Sequence, residues 1–466
     1  MSKIQKISRK DAILPWMKHS LPSSFSSGLE LNKVPGISSL VTKTLISNFN
    51  ITKLFNIQTA VWNYTSGGLS LDNDLCICSP TGTGKTLAYA LPLTHRVSHF
   101  KIKEKHNAIR AIIILPTRDL ARQVYKIIEV LFLSMDLKLS LIAGDCNLDE
   151  EATNMGIISS IKGIPNITSK NNYKYTDGII VTPGRLTSHI KNTPGFDLSY
   201  IQVIVVDEAD RLLRQQYHNW VKYLELFTNN SIIKKRILKI IVSATLTRDP
   251  SKLDKLNLVN PRFISSGSKD QSYSLPKKLK EYKLVCPVSF KLHTLLALIL
   301  KIKGDNLKNK QIIIFTSTVE ITHRLTNFLK EIYRMNYISY IPVEYSSKIS
   351  EISRINSLNK FTSGEASILI ASDGATRGID IDNVYTVINY DAPVYAKTYV
   401  HRAGRTARAG KEGMVITLLR REEVKHFKSI LRKTDNNYVK DFIGITREDV
   451  DFWKPIVSLG IKNIKK

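Results

Sequence analysis

"LCICSPTGTGKT" (residues 75–86) decides how the rest of the chain is read. Its opening is a short apolar run, in which Cys76 and Cys78 alternate as residues of a buried strand do. The stretch "SPTGTGKT" (79–86) follows that strand and opens a helix, the context a phosphate-binding loop requires. Gly82 and Gly84 let backbone N–H groups approach phosphates without a Cβ between them, and the helix N-terminus adds a favourable dipole. Lys85 supplies positive charge for the β- and γ-phosphates, and the Thr86 hydroxyl can hold Mg²⁺. Ser79, Pro80, Thr81 and Thr83 complete the loop, with Ser79 where the strict pattern has glycine.

Outward from this unit, short apolar runs alternate with helical patterns, the signature of parallel βαβ units. "AIIILP" (111–116), "GIIVTP" (178–183), "VIVVDEAD" (203–210) and "KIIVSAT" (239–245) read as buried strands. Leu120, Val124, Ile128 and Leu131 mark the core face of a helix between them. The alternation resumes with "QIIIFTS" (311–317), "SILIASD" (367–373), "TVINYD" (386–391) and "GMVITLL" (413–419). The expectation is an α/β protein with two tandem domains, each a mainly parallel sheet flanked by helices. The first spans 31–263 and the second 281–435, joined by a polar linker at 264–280. A short basic segment (1–30) precedes them and an extension (436–466) follows. The polar stretch 150–177 reads as a surface insertion.

Across 466 residues, 68 lysines and arginines face 40 acidic residues, a net charge of +28 that favours a polyanionic partner such as nucleic acid. Four scattered cysteines exclude a disulfide framework and a cysteine-built zinc site. No apolar run approaches the roughly 18 residues that span a bilayer, so no membrane partner and a soluble, intracellular chain are expected.

In "VIVVDEAD", Asp207 and Glu208 sit where a buried strand ends, the usual place for function in open α/β sheets. One carboxylate, Asp207, suits the water shell of a phosphate-bound Mg²⁺; the other, Glu208, can orient and polarise an attacking water. Together with the upstream loop, this is the signature of a nucleotide hydrolase using ATP and Mg²⁺.

The literal "DEAD" at 207–210 and the ordered motifs around it make the chain resemble a DEAD-box RNA helicase of superfamily 2, over the span Gln58 to Arg408. The resemblance implies two RecA-like domains, with ATP as the nucleotide and single-stranded RNA held through its backbone. Gln58 resembles the glutamine that reads adenine, although Val41 stands where the family has an upstream aromatic. "PTRDLA" (Pro116, Thr117, Arg118), Gly144 of "AGD" and "TPGRL" (Thr182, Pro183, Gly184, Arg185) resemble the first-domain motifs that grip RNA phosphates. Ser243, Ala244 and Thr245 resemble the motif that couples hydrolysis to strand separation. In "SDGATRGID", Thr376, Arg377 and Gly378 would lie near the RNA–ATP junction, and Asp380 would contact the ATP ribose or the catalytic water network. "HRAGRTAR" resembles the last motif: Arg405 and Arg408 as arginine fingers, His401 and Arg402 helping to join the domains. A family Gln-x-x-Arg pair is here Glu351 and Arg354, and Glu351 is left out of the site.

"FNIQTAVW", "EYSS" (344–347), "NYDAP" (389–393) and "TYVHRAGRTARAG" (398–410) further resemble a nucleolar subgroup acting in early assembly of the large ribosomal subunit. Pre-ribosomal RNA, ribosome-assembly proteins, a monomeric core and a nuclear, nucleolar location are the implied expectations. Open alternatives are an RNA clamp with little turnover, a DNA-directed motor of the same superfamily, and another RNA class such as messenger RNA.

Overall fold

The structure is a computed structural model. It describes residues 28–69, 73–79, 83–157, 175–213, 220–223, 236–243, 256–265, 275, 278–304, 311–336, 338–373, 381, 384–407, 411–434 and 439–465, apart from 105–106. The chain divides near residue 270 into two compact units.

The first unit opens with a small antiparallel pair, β1 (Leu29–Glu30) and β2 (Lys53–Leu54). Seven parallel strands follow: β3 (Leu75–Cys78), β4 (Ala111–Ile114), β5 (Leu139–Ile142), β6 (Gly178–Val181), β7 (Val203–Val206), β8 (Leu238–Ser243) and β9 (Arg262–Ser265). Their spatial order is β5-β6-β4-β7-β8-β3-β9. The central strands β4, β6 and β7 carry no polar side chain because helices cover both faces. Alternate residues serve opposite layers: Ile113, Val203 and Val205 pack with the helices 39–49, 56–64, 85–104 and 118–134. Ile112, Ile114, Ile204 and Val206 pack in the other layer, with Ala152, Leu186 and Ala209.

The second unit repeats the scheme with β10 (Leu279–Val285), β11 (Gln311–Thr316), β12 (Pro342–Tyr345), β13 (Ile368–Ser372), β14 (Val384–Asn389), β15 (Gly413–Leu419) and β16 (Lys440–Asp441). Their order is β12-β13-β11-β14-β15-β10-β16, again parallel throughout. Ile313 and Phe315 face one core and Ile312 and Ile314 the other. The last residues are part of this unit: β16 pairs with β10, and helix Arg447–Lys465 sends Trp453 and Val457 into the core. The stretch 150–177 is not simply a surface insertion. Residues 150–155 belong to helix Leu148–Met155, where Ala152 and Met155 are fully buried, while 158–174 lie outside the described residues.

Candidate active site and nucleic-acid interface

The strand order divides the carboxyl-terminal edge of the first sheet into two halves. Neighbouring β7, β8 and β3 bring Asp207, Ser243 and Ser79 to one half; β5, β6 and β4 bring Gly144, Thr182 and Arg118 to the other.

In the first half, Lys85 begins helix Lys85–Glu104 and its Nζ donates to the Ser79 carbonyl at 2.6 Å, folding the loop back on its own strand. Gln58 braces the same loop: Nε2 donates to the Gly84 carbonyl (3.2 Å), and Oε1 accepts from the Phe55 N–H (2.7 Å). Gly84 has φ +78°, and a Cβ there would collide with the Gln58 amide, so the approach requires glycine on both counts. Val41, where the family has an upstream aromatic, lies on helix Ser39–Phe49 with its side chain buried in the core, and offers no stacking platform.

Asp207 is buried. Its Oδ1 accepts from the Glu208 N–H (2.7 Å) and its Oδ2 from the Tyr89 hydroxyl (3.1 Å). Burial raises its pKa above the ordinary carboxylate value, and the Lys85 charge with these two donors offsets only part of that. Glu208 adopts φ 48°, ψ 43°, a left-handed conformation unfavourable for a non-glycine residue, and strain of this kind gathers at functional sites. Two residues on, Asp210 accepts from the Ser243 hydroxyl (2.8 Å), tying the DEAD segment to the end of β8.

The other half centres on Glu151, whose side chain is 1% exposed. Its Oε1 accepts from the Gly144 N–H (2.9 Å), and Oε2 meets Arg185 (2.7 Å) and His189 (2.7 Å). Arg185 also reaches the Cys146 carbonyl, and Gly144 sits with φ +85° where a Cβ would press on Arg118 and Arg185 at 3.1 and 3.2 Å. Burial opposes ionisation of Glu151, but His189, Arg185 and the Gly144 N–H outweigh it and hold the carboxyl below its usual range. Thr117 caps helix Arg118–Ser134, accepting from the Leu120 N–H, and Pro183 starts helix Pro183–Asn192 after Thr182. The segments "AGD" and "TPGRL" are thus fastened to one carboxylate. Pro116 and Gly184 flank the same helix starts.

In the second unit, Arg402 lies on helix Ala396–Ala403 and is 2% exposed. Its guanidinium forks onto Asp373 (2.6 and 2.8 Å) and donates to Asn389 Oδ1 (3.1 Å) and the Asp391 carbonyl (2.6 Å). Every one of these partners lies in the second unit, so Arg402 organises that unit's own motifs, whatever part it has in joining the domains. Asp391 in turn accepts from Lys291 (2.6 Å) and from the backbone and hydroxyl of Ser317. His401 and Arg405 are buried. Pro80, Thr81, Gly82, Ala244, Thr245, Thr376, Arg377, Gly378, Asp380 and Arg408 lie outside the described residues.

Sequence reasoning passed over Tyr89, Glu151, Asp210, Asp373 and Asp391. Asp373 and Asp391 stood inside quoted motifs without a role, and Tyr89 was one aromatic in an ordinary helix. Glu151 was hidden in the stretch read as an insertion.

Residues 55–253 match the DEAD/DEAH box helicase domain, and residues 291–410 match the helicase conserved C-terminal domain. The chain belongs to the DEAD-box ATP-dependent RNA helicases. This helicase is therefore an ATP-hydrolysing enzyme. It is 35% identical to rice DEAD-box ATP-dependent RNA helicase 1, covering 97% of this chain and 91% of the relative. It is 31% identical to zebrafish ATP-dependent RNA helicase DDX51 (91% and 68%) and 30% identical to fission-yeast ATP-dependent RNA helicase dbp6 (91% and 74%). Among solved structures, Mss116p bound to ssRNA and AMP-PNP matches with TM-score 0.79 at 22% identity, covering 96% of this chain and 86% of that one. Yeast Dbp5 bound to RNA and ADP BeF3 matches with TM-score 0.69 at 20% identity, over 92% and 97%. Both share the fold of two RecA-like domains. Among the described residues, no helix is long and apolar enough to cross a membrane.

Proposed function

We propose that this helicase hydrolyses Mg·ATP to remodel pre-ribosomal RNA during assembly of the large ribosomal subunit, in the nucleolus and alongside ribosome-assembly proteins. The divided sheet edge carries the chemical part of this reading: a phosphate loop with a buried carboxylate on one half, and clustered backbone-directed groups on the other.

Thr86 and Asp207 fit Mg²⁺. One hydroxyl and one carboxylate, both hydrogen-bonded to Tyr89, are hard oxygen donors of the kind that would hold Mg²⁺. Bound there, Mg²⁺ would neutralise charge on the phosphates. Lys85 compensates charge on the β- and γ-phosphates, and Glu208 orients the attacking water. Gln58 keeps one donor and one acceptor position beyond its two hydrogen bonds, enough to read an adenine edge. Arg405 and Arg408 act as arginine fingers, with Asp380 in the ribose and water network. Arg118, Gly144, Arg185 and the helix starts at Thr117 and Pro183 grip RNA phosphates without reading bases, which gives low sequence specificity. Thr376, Arg377 and Gly378 bind RNA near its junction with ATP, and Ser243, Ala244 and Thr245, with His401 and Arg402, carry the coupling between the two ligands.

The ribosomal part rests on the flanking sequences "EYSS", "NYDAP" and "TYVHRAGRTARAG", which resemble the nucleolar subgroup. Crosslinking a Glu208→Gln form to cellular RNA and sequencing what it holds tests it. Enrichment of pre-ribosomal RNA is expected; capture of messenger RNA alone overturns it.

A further inference from the structure

Tyr89 lies one helical turn beyond Lys85, on the helix that the phosphate loop opens, and its side chain is 0% exposed. Its hydroxyl donates to Asp207 Oδ2 at 3.1 Å. The Thr86 hydroxyl hydrogen-bonds the same phenol. Because the phenol gives its one proton to Asp207, its oxygen can only accept from the Thr86 hydroxyl, which fixes the polarity of this short chain. A hydroxyl whose proton is committed in one direction presents its lone pairs in the others. Tyr89 is fully buried, so loss of the phenol removes the donor that Asp207 Oδ2 has on that side.

We propose that Tyr89 is a positioning residue for the metal site, a single buried hydroxyl that orients the Thr86 lone pairs and the Asp207 carboxylate toward Mg²⁺. The proposal rests on the assignment of Thr86 and Asp207 as the metal-side residues. Nucleotide binding itself, through the loop backbone and Lys85, does not pass through Tyr89. The phenol therefore matters to the extra affinity that Mg²⁺ confers, and not to affinity without it.

The test uses the full chain and a fluorescent ATP analogue, titrated with EDTA present and with Mg²⁺ present. The ratio of the two dissociation constants reports the metal's contribution. For Tyr89→Phe we expect that ratio to shrink about tenfold while the value in EDTA stays unchanged. An unchanged ratio overturns the proposal, as does an equal loss in EDTA and in Mg²⁺, which is the mark of a general packing defect. In an Asp207→Asn background, adding Tyr89→Phe should cost clearly less than it does in wild type, because only the Thr86 contact is then left to lose; a fully additive loss also overturns it. Failure of the underlying assignment is seen separately: wild-type protein would then show no Mg²⁺-dependent tightening at all, and the role of Tyr89 would fall with it.

Discussion

The two edges of the first sheet hold buried carboxylates in contrasting company. At the amino-terminal edge, Asp74 accepts from the Lys239 and Val259 N–H groups and from Arg236, at 3.0, 2.7 and 3.0 Å. Nearby Asp177 takes Lys101 and the Lys138 N–H, both at 2.8 Å, beside the fully buried Arg110. At the carboxyl-terminal edge, the direct donors to Asp207 among the described residues are the Tyr89 hydroxyl and the Glu208 N–H, and burial raises its pKa. Glu151 stands between these cases, buried on the functional edge yet saturated by His189, Arg185 and Gly144. The difference teaches how to sort buried acids. A carboxylate closed off by cations and N–H groups holds structure together, whereas one left short of cationic partners awaits a ligand.

The contrast breaks first at Asp207. Asp207→Asn should lower RNA-stimulated ATP turnover about a thousandfold, measured by phosphate release. The same variant should be slightly more stable at pH 7, by about 1 kcal/mol, because it removes a charge that burial disfavours. The sign follows from the raised folded pKa: the penalty exists above it and disappears as the carboxyl protonates in acid.

Asp177→Ala should behave in the opposite way. Stranding Arg110 in the interior should cost about 3 kcal/mol in urea unfolding, with turnover per folded molecule near wild type. Next in size is Glu151→Gln, expected to weaken single-stranded RNA binding about tenfold while leaving RNA-free ATP binding intact. Because Glu151 has a lowered folded pKa, its stabilisation is complete above the unfolded value near about 4.3 and is lost as pH falls through the lower folded value. Wild type and Glu151→Gln should therefore converge in stability in strong acid. The smallest effect concerns backbone strain. Glu208→Gly should relax the left-handed conformation and gain up to about 1 kcal/mol of stability while abolishing turnover.

Much of this was legible beforehand because central parallel strands are continuous apolar runs, as in 111–114, 203–206 and 312–315. β10 escaped because Lys280, Glu281 and Lys283 break up the apolar residues of "LKEYKLV", and its outer neighbour β16 is only two residues long. The phosphate loop and DEAD segment announce themselves because their spacing is fixed by local chain geometry. Glu151 did not, since its role depends on Arg185 and His189, more than thirty residues away and brought close by the β5-β6 pairing. Tyr89 joins Asp207 across 118 residues, a contact that no local pattern reveals.

The division of the sheet edge is tested most directly by hydrogen exchange on the full chain, with a non-hydrolysable ATP analogue alone and with single-stranded RNA alone. The account predicts two separate footprints. The analogue should protect the backbone at 83–88 and 206–210, and RNA should protect 117–121, 143–147 and 182–187. Footprints that coincide, or that exchange places, would contradict it.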